Sequence, residues 1–95
     1  MKIETADFVI SLNGRDAGKR FLVIGTDEEY AFLVDGKSRK TGRPKRKKCK
    51  HIKFESRREH GLTEKLKNNE KVTNKEIRRV LAEQEYRQEH EKGGM

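Results

Sequence analysis

The apolar residues of this chain fall into short runs separated by polar, glycine-containing or charged stretches, and the period of each run predicts its element. Asp7 to Leu12 reads DFVISL, in which Phe8, Ile10 and Leu12 alternate on one face as in a half-buried strand. NGRDAG follows, where Gly14 and Gly18 offer positive φ on either side of charged residues, so a tight loop is expected. RFLVIG, from Arg20 to Gly25, and YAFLVDG, from Tyr30 to Gly36, are β-branched and aromatic runs. The polar TDEE between them predicts a hairpin. A further strand is expected at HIKF, with Ile52 and Phe54 on one face and His51 and Lys53 on the other. Short strands punctuated by turn signals predict a mainly β fold, a small closed or partly closed barrel rather than a helical bundle.

The C-terminal third changes character. Val72, Thr73 and Glu76 form a helix-start signature: Thr73 caps the Glu76 amide, Glu76 reaches back to Thr73, and Val72 packs on Ile77 as a hydrophobic staple. This predicts a helix from about Asn74 to Glu89. Its apolar stripe is Ile77, Val80 and Leu81, with Tyr86 further round and Gln84 where an apolar residue would continue the seam; so narrow a stripe is expected to dock weakly. Leu62 and Leu66 suggest a preceding helical turn, KNNE separates the two, and the final KGGM is expected to fray. A chain of 95 residues supports one core, so residues 1–58 are read as the barrel and 59–95 as a helical extension.

Charge changes the picture most. Residues 1–35 carry 4 basic and 7 acidic side chains, residues 36–58 carry 12 and 1, and residues 59–95 carry 8 and 8, so the middle segment holds the whole excess behind the net +8. Charged residues make up 42% and hydrophobic ones 31%, close to the disordered regime, yet the apolar runs are concentrated enough for a small core. The single cysteine, Cys49, excludes an intramolecular disulfide framework. The N-terminal MKIETADF has no apolar signal region and no stretch is long enough to span a bilayer, so a soluble, cytoplasmic protein with no membrane association is expected.

Lys37 to Phe54, KSRKTGRPKRKKCKHIKF, holds ten lysines and arginines and no acid. Like charges at that density repel unless a polyanion compensates them, and phosphates do so with affinity that falls as salt rises. Arginine adds a planar fork for two phosphate oxygens, and Arg39, Arg43 and Arg46 recur at three- to four-residue spacing. Gly42 and Pro44 predict a bent, extended loop between two strands, as opposed to a helix or a tail. The candidate contacts are Lys37, Arg39, Lys40, Arg43, Lys45, Arg46, Lys47, Lys48, Lys50, His51 and Lys53. The alternative is a solvated charged loop or a targeting stretch. The basic run contains no aromatic residue, and Phe8, Phe21, Phe32 and Phe54 occupy core-like strand positions, which favours backbone and shape recognition of folded RNA over base readout. Charge alone does not separate RNA from DNA.

Cys49, His51 and His60 lack the count and spacing of a zinc site, and so small a core scarcely provides a shielded base or an oxyanion hole. No catalysis, metal or other cofactor is expected.

The stretch FVISLNGRDAGKRFLVIGTDEEYAFLVDG, Phe8 to Gly36, resembles the KOW motif, a strand-loop-strand unit of SH3-like barrels in ribosomal proteins and transcription elongation factors. Ala17 stands where a lysine often precedes the glycine, and Phe21 where a second glycine is common. Taken with TGRPKRKK and KHIKFE, the GRDAGK loop is similar to the archaeal and eukaryotic large-subunit ribosomal protein L-fourteen-e family, over about residues 6–55. Residues 59–95 look more like the C-terminal extension of stand-alone bacterial KOW-domain RNA-binding proteins. The resemblance implies a small SH3-like β-barrel that binds structured, ribosomal RNA without catalysis, associates with the large ribosomal subunit, and adds Arg15, Lys19 and Arg20 to the RNA contacts. It also implies an alternative, a protein-interaction module of transcription or translation that offers Ile77, Val80 and Leu81 of the C-terminal helix to a protein partner. Packing of that stripe on the chain's own barrel is the competing expectation.

Overall fold

The computed structural model describes residues 2–93. The apolar runs pair into one antiparallel sheet of five strands, β1 (Phe8–Ser11), β2 (Arg20–Asp27), β3 (Tyr30–Val34), β4 (Lys45–Lys48) and β5 (Ile52–Ser56), in the spatial order β4-β3-β2-β1-β5. Two helices follow, α1 (Thr63–Lys67) and α2 (Asn74–Gly93). The edges β4 and β5 are not joined by a ladder among the described residues, so the sheet is open. No helix among the described residues is long and apolar enough to cross a membrane.

Both faces of the sheet are covered, which one-face alternation does not anticipate. On one face Phe8, Leu22 and Val34 pack with Leu62 and Leu66 of α1 and with Ile77 and Val80 of α2. On the other Val9, Phe21, Val23, Ala31, Leu33 and Ile52 form a second cluster with Ile3. Among the described residues neither α1 nor α2 contributes to this second cluster, yet Val9, Phe21, Val23, Ala31 and Leu33 are all 0% exposed, so the sheet must curl over its own face. Two register irregularities, at Phe8/Val9 between β1 and β5 and at Val23/Gly25 between β2 and β3, supply local twist for that curl.

The first strand therefore differs from the expected half-buried one. Phe8 and Val9 are both fully buried, on opposite faces, whereas Leu12 lies beyond the strand and is 53% exposed. Adjacent buried residues are what a strand shows when each face has its own core. The hairpin is also tighter than TDEE suggested: Thr26 and Asp27 extend β2, and only Glu28 and Glu29 form the connection, with Glu28 at φ 52.

The basic run is only partly a loop. Lys45 to Lys48 form β4 and pair with β3 in the register Tyr30↔Lys48 to Leu33↔Lys45. Four consecutive cations make a strand because the ladder satisfies the backbone while alternate side chains reach solvent, and a lysine-rich edge discourages pairing with a second sheet. Cys49 to His51 form a short 3-10 turn, so His51 precedes β5.

The helix start follows its signature. Glu76 N donates to Thr73 Oγ1 at 3.1 Å, Thr73 N donates to Glu76 Oε1 at 2.9 Å, and Val72 packs on the cluster that holds Ile77. The helix runs past Glu89 to include Lys92 and Gly93, and the rest of the expected frayed end, residues 94–95, lies outside the described residues. Weak docking is not observed. Ile77 is 0% and Val80 4% exposed, which by burial alone stabilises by about 1.5–3 kcal/mol per side chain. Gln84, 1% exposed, extends the contact with hydrogen bonds in place of an apolar seam.

Candidate nucleic-acid interface

The glycine loop after β1 is a 3-10 turn, Gly14–Asp16, opened by Gly14 at φ 77 and closed by Gly18 at φ 86. Gly18 N donates to Ser11 O at 2.8 Å, and Ser11 N donates to Lys19 O at 3.0 Å, so the loop is tied across its base. The turn buries Asp16, and its Oδ2 lies 3.7 Å from both Arg39 Nη2 and Lys45 Nζ. On the same loop Asn13 O accepts from Lys47 Nζ at 3.0 Å. The glycine loop and the basic run, distant in sequence, thus form one surface.

A second carboxylate shapes the segment between β3 and β4. Asp35 Oδ1 accepts from Lys37 N and Arg39 N, each at 2.8 Å, and Oδ2 accepts from Ser38 Oγ at 2.9 Å. Burial alone would push this carboxyl up, but the amides of Arg39 and Lys37 and the Ser38 hydroxyl outweigh it and hold the pKa below the ordinary carboxylate value. Lys19 from the glycine loop joins here, donating to Ser38 Oγ at 3.2 Å with its Nζ 3.7 Å from Asp35 Oδ2.

The start of α2 braces the same segment. Arg78 Nη1 donates to Gly36 O at 2.7 Å, and Thr41 N donates to Asn74 Oδ1 at 2.9 Å. Gly36 has φ 78, and a Cβ there would lie 2.6 Å from Asn74 O, so only glycine fits both the backbone and the helix. A groove of about 470 Å³ runs between the glycine loop, Lys37, Ser38 and Arg78. Nothing in the sequence pattern marks Asn74 or Arg78 as supports of the basic loop, because their partners are backbone atoms set by the tertiary fold.

The candidate cations divide by environment. Arg15, Lys19, Lys37, Lys40, Arg43, Arg46 and Lys50 are exposed, and Arg39, Lys45, Lys48 and His51 are half-buried. Among the described residues no carboxylate lies within ion-pair distance of Arg15, Lys37, Lys40, Arg43, Arg46, Lys48 or Lys50. Two candidates are engaged elsewhere. Lys47 is 8% exposed with its amine on Asn13 O, and Arg20 is held by Glu55 through bonds of 2.7 and 2.8 Å. Lys53 is exposed but lies on β5, opposite Ile10, at the other edge of the sheet from β4.

Of the four phenylalanines expected in the core, Phe8 and Phe21 are fully buried, Phe54 is half-buried against the second cluster, and Phe32 is half-buried outside both clusters. Tyr30 stands among the basic side chains of β4. The Arg46 guanidinium carbon is 3.5 Å from the Tyr30 ring centroid and Lys48 Nζ is 6.0 Å away. Tyr30 is not in the basic run, so only the β3–β4 register reveals this neighbourhood.

Burial pushes the Cys49 thiol up, which keeps it protonated, and among the described residues no group of three His, Cys, Asp or Glu side chains is placed to hold a metal ion. What the surface offers is an array of unneutralised cations on braced backbone, suited to a run of phosphates. No family model matches the chain, and no curated protein does either.

Proposed function

We propose that this protein is a non-enzymatic RNA-binding module that recognises structured RNA by its phosphate backbone and shape, and that the RNA belongs to the large ribosomal subunit or its precursor. The observation that carries this is the convergence of the glycine loop on the basic loop: Asp16 and Asp35 tie Lys19, Arg39 and Lys45 into place, while Arg15, Lys37, Lys40, Arg43, Lys48 and Lys50 remain without a carboxylate among the described residues. A small domain gains nothing from such a concentration of charge unless a polyanion neutralises it. The strand order, with β1 between β2 and β5, and the curl over the second cluster support reading the sheet as an SH3-like barrel of KOW type left open between β4 and β5. The ribosomal part of the proposal rests on the resemblance of the GRDAGK, TGRPKRKK and KHIKFE segments.

The test is co-sedimentation with ribosomal subunits across a salt series, with a variant carrying Arg39→Ala, Arg43→Ala and Arg46→Ala run alongside. Contact with about six duplex phosphates gives a log-log salt slope of about −5. Saturable association with the large subunit, weakened by salt and by the triple variant, is the expected result; free protein at every salt concentration would reject the proposal.

The protein-interaction alternative keeps little of its expected surface, since Ile77 and Val80 are buried against the sheet and Leu81 is half-buried against the same cluster. What the helix still offers is Tyr86, 63% exposed and stacked on His90 at 3.8 Å between ring centroids. Substitution of Tyr86 separates the two readings better than removing the extension, which would strip the cover from Phe8, Leu22 and Val34.

A further inference from the structure

We infer that Tyr30 and Arg46 form a stacking site for an unpaired RNA base, beside the phosphate-binding surface; this rests on RNA being the partner. The register places Tyr30 opposite Lys48 and Phe32 opposite Arg46, so these side chains share one sheet face. Val34, two residues further along β3 on that face, is 0% exposed under the helices, whereas Phe32 and Tyr30 are half-buried and belong to neither core cluster among the described residues. The helices therefore leave an aromatic strip uncovered at the end of the face that adjoins β4.

The chemistry of the strip selects its occupant. At 3.5 Å from the ring centroid the Arg46 guanidinium is in van der Waals contact with Tyr30, which holds it flat on the ring while Arg46 itself is exposed. A planar cation backed by an aromatic ring extends its stack with a nucleobase, and bases reach such a site only where they are unpaired. Lys48, opposite Tyr30 on the same face with its Nζ 6.0 Å from the ring centroid, is placed to meet a flanking phosphate of a stacked nucleotide. Asp27, opposite Tyr30 on β2, bounds the patch on its acidic side. Apolar protein segments would meet an exposed guanidinium here instead of a pocket.

The experiment compares two RNAs, a blunt-ended duplex and the same duplex with a single-stranded adenine overhang, by direct binding at constant salt. Wild type should prefer the overhang by roughly five- to 150-fold, the range for one stacked base. Arg46→Lys, which keeps the charge and removes the plane, and Tyr30→Ala should both lose that preference, read as the ratio of the two affinities within each variant; Tyr30→Phe should keep it. Thermal unfolding checks that each variant folds, and an upfield shift of the Tyr30 ring protons on adding the overhang RNA gives a reading on the unsubstituted protein. Equal binding of both RNAs by wild type, or a preference that survives in Arg46→Lys and Tyr30→Ala, removes the stacking site and leaves the phosphate surface standing. Absence of binding to either RNA at low salt overturns the RNA reading itself, and the stacking site with it.

Discussion

Arg20 grips Glu55 with two parallel hydrogen bonds, Nε to Oε1 at 2.7 Å and Nη2 to Oε2 at 2.8 Å, reaching from β2 to β5 across the intervening β1. Gln84 of α2 completes the arrangement: its Nε2 donates to Glu55 Oε1 at 3.1 Å and its Oε1 accepts from Arg58 Nε at 2.8 Å. Burial would raise the Glu55 pKa, but the Arg20 and Gln84 hydrogen bonds and the Arg20 charge bring it below the ordinary carboxylate value. The second half of the helix is thus docked by a polar network where the first half is docked by Ile77 and Val80.

Gln84→Leu is accordingly expected to destabilise the protein, although it extends the apolar stripe. The substitution removes a donor from Glu55 and an acceptor from Arg58 at a site 1% exposed, and lost partners of this kind cost about 1–3 kcal/mol. Urea unfolding measures it; a midpoint at or above wild type would show that the network adds nothing beyond packing.

Gly36→Ala should both destabilise the fold and loosen the basic loop. A left-handed conformation costs a non-glycine residue about 1–2 kcal/mol, and here the added methyl also meets Asn74 O at 2.6 Å and Arg78 Cγ at 2.9 Å. Relieving that contact separates Arg78 Nη1 from Gly36 O, so RNA affinity should fall together with the melting temperature. Unchanged affinity in a folded Gly36→Ala variant would mean that the bracing by α2 is irrelevant to binding.

How far the sequence reveals this arrangement depends on whether the cause is local. The Thr73–Glu76 capping box and the glycine loop are readable because their partners lie within a few residues. The apolar runs mark the strands for the same reason. What local pattern misses is set by distant partners: Val9 is buried because the sheet curls, and Lys45 to Lys48 become a strand because β3 presents an open edge. Within the candidate site the cations are legible as a charge run, but composition does not say that Lys47 is buried on Asn13 O or that Arg20 belongs to Glu55. Tyr30 is invisible as a neighbour of Arg46 until the β3–β4 register is known.

His60 should make stability fall as the solution is acidified through the range below about pH 6.5. Desolvation lowers its pKa from the ordinary 6.5, the Arg58 charge adds to this, and the hydrogen bond to Ala6 O opposes it only in part. Leu62 N donates to Nδ1 at 3.1 Å, which leaves Nε2 as the protonated nitrogen that donates to Ala6 O at 2.9 Å. A second proton on Nδ1 would face the Leu62 N–H. The unfolded chain therefore binds a proton more readily than the folded one, so stability is full above the unfolded pKa and declines as pH drops toward the lowered folded value. Urea midpoints at about pH 7.5 and about pH 5.5 should differ for wild type and less for His60→Gln; equal differences in the two proteins would assign the acid sensitivity to other groups.

Lys47 and Arg43, close together in the basic run, should fail in opposite ways. Lys47 points to the curled face, opposite Ala31 on β3, and neutralises no phosphate in this arrangement because its amine is held by Asn13 O. Lys47→Ala is expected to cost about 1.5–3 kcal/mol, the range for a hydrogen bond to a charged group, and to leave the salt slope of RNA binding unchanged. Arg43 is exposed and has no carboxylate within ion-pair distance among the described residues, so Arg43→Ala should stay within about 0.5 kcal/mol of wild-type stability. Its effect should appear in binding instead, as weaker affinity and a salt slope reduced by about 1. Urea unfolding and RNA titration at two or more salt concentrations measure both quantities in each variant. If Lys47→Ala lowers the slope and spares stability, the amine leaves Asn13 O to take a phosphate, and the glycine loop opens when RNA binds.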